Sequence, residues 1–394
     1  MFYERIQGND IYDVAGGAPF VNTPSSSNVE LANPNFNWQS GGAASSPLFT
    51  QGPTSLSSNY PPPGVGQYSL GMQHEIVPAL ILVVQYVGNQ AWHQNDFLPI
   101  NNFPLSTPMA VRQASATGAL KTVPTLLART YAGFGGMNQI TNLQTGTYNG
   151  FQAGVRQQNR HGLSFEVDYT WSHEIDSQPG SGDLNTLANP WNLKYDKGSG
   201  SLDRRQILNA NYTYKLPVFA HGTGLTHEVL GGWEIAGTVI SESGLPWAGN
   251  SAGSGFADTV GLGGGYNNRA NQAGKVLYPK GKETVGNNTG YQWVANNGTF
   301  VSPTAAWQGG PNLGFGNQGR DAVVGPGRTN FTTSLYKSFA ITERAHFELR
   351  ADTFNTFNHT QFNNFNTREA GSNFGFVTGA QDPREWEFGG KFNF

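Results

Sequence analysis

Residues 384–394 alternate between apolar and polar positions almost without a break. One face of this segment carries Trp386, Phe388, Gly390, Phe392 and Phe394, and the other carries Glu385, Glu387, Gly389, Lys391 and Asn393. A two-residue period indicates an extended strand, because successive side chains point to opposite faces. An aromatic face opposite a charged face predicts a transmembrane β-barrel strand, with lipid on one side and a wet lumen on the other.

The same period recurs along the chain and predicts about ten to twelve strands. The clearest further segments are Leu163–Ser172, Arg205–Leu216, Arg328–Ile341 and Arg344–Phe357. Weaker alternation marks Phe2–Val14, Gln67–Ile76, Ala79–Val87, Thr147–Gln158 and Val229–Ser241. Most of these segments are close to the 9–11 residues, roughly, that a tilted strand needs to cross a bilayer. Extra strand pairs are expected near Gln139–Leu143 and Tyr291–Val294.

Short and long connections alternate between the predicted strands. The short ones are 77–78, 159–162, 217–226 and 342–343, and the long ones are 15–65, 89–146, 173–203, 244–327 and 358–383. In outer-membrane barrels the short turns face the periplasm and the long loops face outside. The chain is therefore predicted to be an all-β, antiparallel transmembrane barrel with its C-terminus in the periplasm.

Composition supports this fold class. Only 12% of the residues are charged, about half the usual share, yet the mean hydropathy is -0.42 because uncharged polar residues replace the charges. The absence of cysteine excludes disulfides and thiol chemistry. A net charge of -3 gives no basic surface for nucleic acid, so no nucleic-acid partner is expected.

Two further features concern the extent of the domain. No segment approaches the roughly 20 apolar residues of a membrane helix. Residues 1–10 carry charges where a signal peptide has its apolar region. Since an outer-membrane protein must be exported, we expect residues 1–394 to form one barrel domain, the C-terminal part of a larger barrel without its plug and N-terminal domains. The alternative is a complete small barrel, since even-numbered barrels begin at eight strands.

The candidate functional residues are expected to insert the barrel into the membrane and to line its lumen. The terminal strand is expected to carry the membrane-insertion signal, in Trp386, Phe388, Phe392 and Phe394. The polar faces are expected to point into the lumen, at Glu166, Asp168, Glu348, Arg350, Asp352, Glu387 and Lys391. Such charges either contact a substrate or plug, or form a hydrated and mutually paired interior, which is the more usual arrangement.

The sequence lacks the spacing of common catalytic and metal sites. His173, Glu174 and Asp176 lie at a strand-to-loop boundary without HExxH spacing, which favours loop capping over a metal site. There is no Gly-x-Ser-x-Gly elbow, and the glycines of 261–265 do not fit a nucleotide-binding loop. We therefore expect no enzymatic activity, cofactor or metal. The Asn-rich stretch 355–366 is either a sugar-binding surface or, more simply, a polar loop.

An ordered set of phrases resembles a known family. They are Phe2–Asn9, Tyr169–Asp176, Asp203–Tyr212, Leu230–Ile235 with Ser243–Pro246, and Phe354–Phe362. Together they resemble the C-terminal half of the barrel in Oar-type TonB-dependent receptor-like proteins, which carry a carboxypeptidase-regulatory-like domain. The resemblance implies an outer-membrane location, a barrel of about 22 strands with a plugged lumen, and energy supplied through TonB.

These observations together predict a barrel segment that takes part in ligand uptake across the outer membrane. The expected partners are outer-membrane lipid, the barrel-assembly machinery at the terminal strand, an unknown small ligand, and TonB only through missing N-terminal parts. Three alternatives remain open: a passive porin-like channel, a surface adhesin or structural barrel, and a soluble β-sandwich lectin.

Overall fold

The computed structural model describes residues 53–120, 122–178, 185–219, 224–247, 256–263, 268–320, 322–342 and 344–394. Its main sheet contains nine long strands: β1 (Gly64–Val77), β2 (Leu80–Pro99), β3 (Asn138–Arg160), β4 (Leu163–Asp176), β5 (Gln206–Lys215), β6 (Glu234–Glu242), β7 (Arg328–Ala340), β8 (His346–Phe354) and β9 (Glu385–Asn393). The predicted strand Phe2–Val14 lies outside the described residues.

The nine strands form an antiparallel meander, in which each strand pairs with the next one along the chain. Two short strands, Ser55–Leu56 on β3 and Gly198–Ser199 on β4, bring the sheet to eleven. Within the described part of the chain the sheet stays open, since β1 and β9 pair on one side only. The predicted partial antiparallel barrel of ten to twelve strands is confirmed.

The pairing register separates an apolar face from a polar face. On β4 and β5, for example, Phe165 lies opposite Tyr212 and Tyr169 lies opposite Leu208. The apolar face is open to its surroundings: Leu70 is 79% exposed and Phe388 is 73% exposed. Soluble monomers rarely expose apolar patches of this extent, so the face requires a lipid covering.

Strands β2 and β3 extend well beyond the predicted spans, to 20 and 23 residues. The loop between them therefore covers 100–137, where the sequence pattern predicts 89–146, and Gln139–Leu143 belongs to β3 itself. Irregular register between Ala91 and Asp96 accompanies this extension. Its side chains are largely Asn, Gln and Thr, so a hydrophobic alternation could not reveal it.

The predicted strand Val229–Ser241 is wrong at its start. Residues Leu225–Leu230 form a helix, α3, and β6 begins only at Glu234, so the short connection expected at 217–226 runs over 216–233. Gly232, with φ of 70°, lies between the helix and the strand in a left-handed conformation that suits glycine. The Lys337 ammonium of β7 donates to the Glu228 and Gly231 carbonyls, which fixes the helix to the sheet.

Four small sheets and several short helices occupy the long connections. The sheets pair Asn271–Gln272 with Phe300–Val301, Gly281–Val285 with Asn288–Gln292, Pro246–Trp247 with Val323–Val324, and Phe362–Phe365 with Val377–Ala380. The hairpin at Asn288–Gln292 partly confirms the pair expected near Tyr291. The helices are α1 (Met109–Ala116), α2 (Thr122–Leu127) and the 3-10 turns Leu193–Asp196, Ala306–Gln308 and Asn312–Gly314. Among the described helices, none has the length and apolarity to cross a membrane.

The long connections pack into one body at one edge of the sheet, which we call the loop assembly (the described residues of 100–137, 177–203, 243–327 and 355–384). Its first apolar cluster comprises Ala270, Val294, Phe300, Val323, Phe365 and Phe374. Its second comprises Phe103, Val260, Leu262 and Phe315. In the stretch 355–366, interpreted as a polar loop interrupted by Phe357, Phe362 and Phe365, the last of these residues anchors the segment in the first cluster. The buried core of this chain lies in the loops, and the sheet faces stay open.

Candidate ligand-binding face and loop assembly

The register places the seven predicted lumen residues on one face of the sheet. Asp352 lies opposite Ser334 and Glu387, and Glu348 lies opposite Lys391. Glu166 and Asp168 share that face from β4, several strands away. Glu348 and Lys391 are a favourable cross-strand pair of opposite charges, whereas Asp352 faces the like-charged Glu387 and forms its ion pair with Arg350 of its own strand. That this face lines a lumen stays a prediction.

The four residues predicted to signal membrane insertion project from the opposite face of β9. The rings of Trp386 and Phe388 are stacked with centroids 6.2 Å apart, and those of Phe392 and Phe394 lie 5.9 Å apart. Phe394 is 96% exposed, at the edge of the sheet that carries the short turns. The geometry leaves these rings available to lipid or to a partner, and their role in insertion stays a prediction.

At the opposite edge, the polar face ends in a cluster of charges beneath the loop assembly. Glu242 accepts from the Arg328 Nε at 2.9 Å and lies 3.2 Å from the Arg204 guanidinium. A cavity of about 350 Å³ opens beside these groups, with Trp247 and Phe362 in its wall. Its position, between the polar face and the loops, makes it a candidate point of ligand contact.

Ion pairs and hydrogen bonds connect the loop assembly to the end of β4. Asp203 accepts from the Glu174 backbone N–H at 2.9 Å, and its other oxygen lies 2.8 Å from His173 Nδ1. Asp176 pairs with the buried Arg320. The His173 region thus caps a strand end, as predicted, and no group of three metal-ligating side chains occurs within the ranges that the structure covers. Asp203 was not predicted as a partner, because its role depends on a contact across a loop.

A buried ion pair joins two distant parts of the loop assembly. Asp196 accepts from Arg269 Nη1 at 3.1 Å and from the Ala188 backbone N–H at 2.8 Å. Arg269 also stacks on the Tyr195 ring, with its guanidinium carbon 3.8 Å from the ring centroid. Both charged side chains are almost completely buried. Burial raises the pKa of the Tyr195 hydroxyl, against the opposing effect of Arg269.

Glu369 is the least expected residue of the loop assembly. It is only 1% exposed, and its Oε1 accepts from Gln318 Nε2 at 2.7 Å. Burial raises the pKa of Glu369 to about 7, and the Gln318 bond opposes this only in part. A single glutamate in a polar stretch gives no sequence signal, so sequence reasoning missed it.

The chain matches the profile of the outer membrane beta barrel domain family over residues 1–387, and it belongs to that family. The predicted fold class and outer-membrane location are thereby confirmed, in agreement with the resemblance to TonB-dependent receptor-like barrels. The family is one of barrels and not of enzymes; the absence of an enzymatic activity stays a prediction. No curated protein matches the chain.

Several solved structures are similar to the chain at low identity. The outer-membrane transporter YddB of Escherichia coli has 10% identity and a TM-score of 0.46, with 87% of this chain and 34% of YddB covered. The pyoverdine receptor FpvA of Pseudomonas aeruginosa has 13% identity and a TM-score of 0.34, with 85% and 30% covered. The copper transporter OprC has 11% identity and a TM-score of 0.34, with 86% and 32% covered. The chain spans about a third of the length of these structures.

Proposed function

We propose that this chain is the barrel segment of a TonB-dependent receptor-like protein that takes up a small ligand across the outer membrane. The observation that carries the proposal is the packed loop assembly above a polar sheet face. An ordered surface binds with a smaller entropy cost than mobile loops do, which favours ligand capture over passive conduction. The cavity beside Glu242 and Arg328 is a contact point along this route.

The open sheet supports the proposed place of this chain in a larger barrel. Strands β1 and β9 each leave one row of backbone N–H and C=O groups without a strand partner in the part that the structure describes. Unpaired backbone groups are costly in hydrocarbon, so a barrel in lipid must close. Further strands of the same protein would close it, and parts preceding this chain would supply the plug and the TonB contact.

Uptake can be tested before the ligand is identified. Cells with the gene, cells with an in-frame deletion and cells lacking TonB would be grown on a complex medium, and compounds lost from the medium measured by mass spectrometry. We expect at least one compound to be depleted only when both the gene and TonB are present. Depletion that needs the gene but not TonB would indicate a passive channel. Surface binding without depletion would indicate an adhesin.

The terminal aromatics give a second prediction, on membrane insertion. Deleting Phe394 should reduce the amount of protein in the outer membrane several-fold, because the assembly machinery would lose the aromatic end of the last strand. Fractionation and immunoblotting measure this amount. Phe357→Ala is the matched control, since Phe357 is also exposed, at 70%, but lies outside the sheet. Equal amounts of the deletion variant and the control in the outer membrane would contradict the insertion role.

A further inference from the structure

The loop assembly contains a second cavity, away from the polar sheet face. Its volume is about 390 Å³, within the range of small-molecule sites. Glu369 is the only charged side chain among the residues that line it, and Phe256, Val285 and Phe374 supply apolar walls. Phe374 also belongs to the first apolar cluster, where its ring lies 5.7 Å from that of Phe300. The cavity is therefore built against the first apolar cluster of the loop assembly.

Two side-chain amides that line this cavity already donate to backbone carbonyls, while one carboxylate oxygen has no donor. Gln292 Nε2 donates to the Phe374 carbonyl at 3.1 Å, and Asn296 Nδ2 donates to the Glu369 carbonyl at 2.8 Å. In contrast, Glu369 Oε2 is buried and has no hydrogen-bond partner in the protein. Buried polar atoms normally have partners. Glu369 Oε2 therefore lacks a donor, and none of the residues that line the cavity carries a positive charge.

We propose that this cavity binds a small organic ammonium group, whose N–H donors bond to Glu369. An ammonium carries three donors and no acceptor, which complements the unsatisfied Glu369 Oε2. Its charge would pair with the buried carboxylate, and the aromatic walls at Phe256 and Phe374 would favour a cation. A short alkyl chain would pack against Val285. The inference rests on the proposed function, since it names a ligand class for the loops that would meet the ligand first.

A metal ion fits these residues less well. Metal sites are built from several carboxylate, imidazole or carbonyl ligands around one point. Glu369 is the one carboxylate of the lining, and no group of three His, Asp or Glu side chains occurs in the described ranges. The apolar walls also offer no ligands. An organic cation uses both parts of the cavity, the carboxyl group and the aromatic rings.

Equilibrium titration with three matched probes tests the proposal on the purified full chain in detergent at pH 8. The probes are n-butylammonium, butyltrimethylammonium (the same chain and charge without N–H donors) and 1-butanol (neutral). We expect n-butylammonium to bind at least about tenfold more tightly than either of the others, the factor that corresponds to about 1.4 kcal/mol. Equal binding of 1-butanol would show a purely apolar pocket, and equal binding of butyltrimethylammonium would remove the role of Glu369 as a hydrogen-bond acceptor. Either result would overturn the proposal.

Two variants locate the binding site. Glu369→Gln keeps the shape but removes the charge, and should weaken n-butylammonium binding at least about tenfold, again about 1.4 kcal/mol. Ala370→Phe fills the cavity from an exposed position and should abolish binding with Glu369 intact. Glu283→Gln, on the exposed hairpin 281–292 of the loop assembly, is the matched control. Far-UV circular dichroism checks folding. Wild-type affinity in both cavity variants would refute the site, whatever the uptake experiment shows, because titration at equilibrium does not require transport.

Discussion

Replacing Asp196 with alanine is expected to lower the local stability of the loop assembly by about 3–5 kcal/mol, the usual cost of breaking a buried ion pair. The variant leaves the Arg269 guanidinium charged and buried without its counter-ion, and it removes the acceptor of the Ala188 N–H. Hydrogen-exchange mass spectrometry should report faster exchange in segments 187–197 and 268–272. The loss corresponds to about two to four orders of magnitude in protection.

Lys215→Met provides the comparison for this prediction. Lys215 and Glu234 form an exposed pair at 3.5 Å near the short-turn edge of the sheet, and such pairs contribute about 0–1 kcal/mol. Exchange in both loop segments should remain unchanged in this variant. Amides of β4 and β5 should remain protected in Asp196→Ala, because the pair does not touch the centre of the sheet. Unaltered protection of 187–197 in Asp196→Ala would show that the ion pair does not hold the loops.

Glu369→Gln should remove a pH dependence of loop stability. The pKa of Glu369 is about 7 in the folded protein, against an ordinary value of 4.5. Between these two pH values the folded state retains a proton that the unfolded state has lost, so stability falls as the pH rises through this window. The difference corresponds to on the order of 3 kcal/mol above pH 7. Glutamine is neutral throughout, so the variant should be the more stable protein at pH 8.

Hydrogen exchange in segment 366–376 at pH 5, 6, 7 and 8, corrected for the intrinsic rate, measures this effect. The wild-type opening free energy should fall across the series, and that of Glu369→Gln should stay level. Burial is the cause that raises the Glu369 pKa. The neighbouring Arg368 is exposed and does not contribute to this shift. Glu283→Gln should follow the wild type. A level wild-type profile would mean that Glu369 is already ionised at pH 5.

The positions of the strands could be predicted because the membrane imposes a two-residue period on them. Segments such as Leu163–Ser172 and Arg328–Ile341 alternate because one face meets lipid and the other meets polar groups. Strand residues beyond the lipid-facing part of the sheet do not have this two-residue period, and the predicted strands stop short of them. The outer parts of β2 and β3 pair through the backbone and carry mostly polar side chains, so the sequence indicated only a separate strand near Gln139–Leu143 and not the continuation of β2 and β3.

The loop assembly could not be predicted for a different physical reason. Its clusters gather single apolar residues, such as Phe103, Val260 and Phe365, from connections that are far apart in the sequence. Each lies in a stretch rich in Gly, Asn or Ser and has no periodic neighbours. The same holds for Glu369, whose properties come from burial against residues of other loops. Sequence patterns report local structure, and this part of the molecule is defined by long-range contacts.

Contacts within the loop assembly join residues that are far apart in the sequence, and this separation affects the order in which parts of the protein can fold. Arg112 donates to the Val260 carbonyl across 148 residues, and Gln292 donates to Phe374 across 82 residues. Contacts of such separation form slowly, because the intervening chain must first lose its conformational freedom. The hairpins β3–β4 and β7–β8 have short turns and can form early, whereas β6 and β7 pair across the connection 243–327. The loops can complete their core only once residues 365–376 are present, so a nascent chain arrested before the last hairpin would expose the apolar residues of the first cluster.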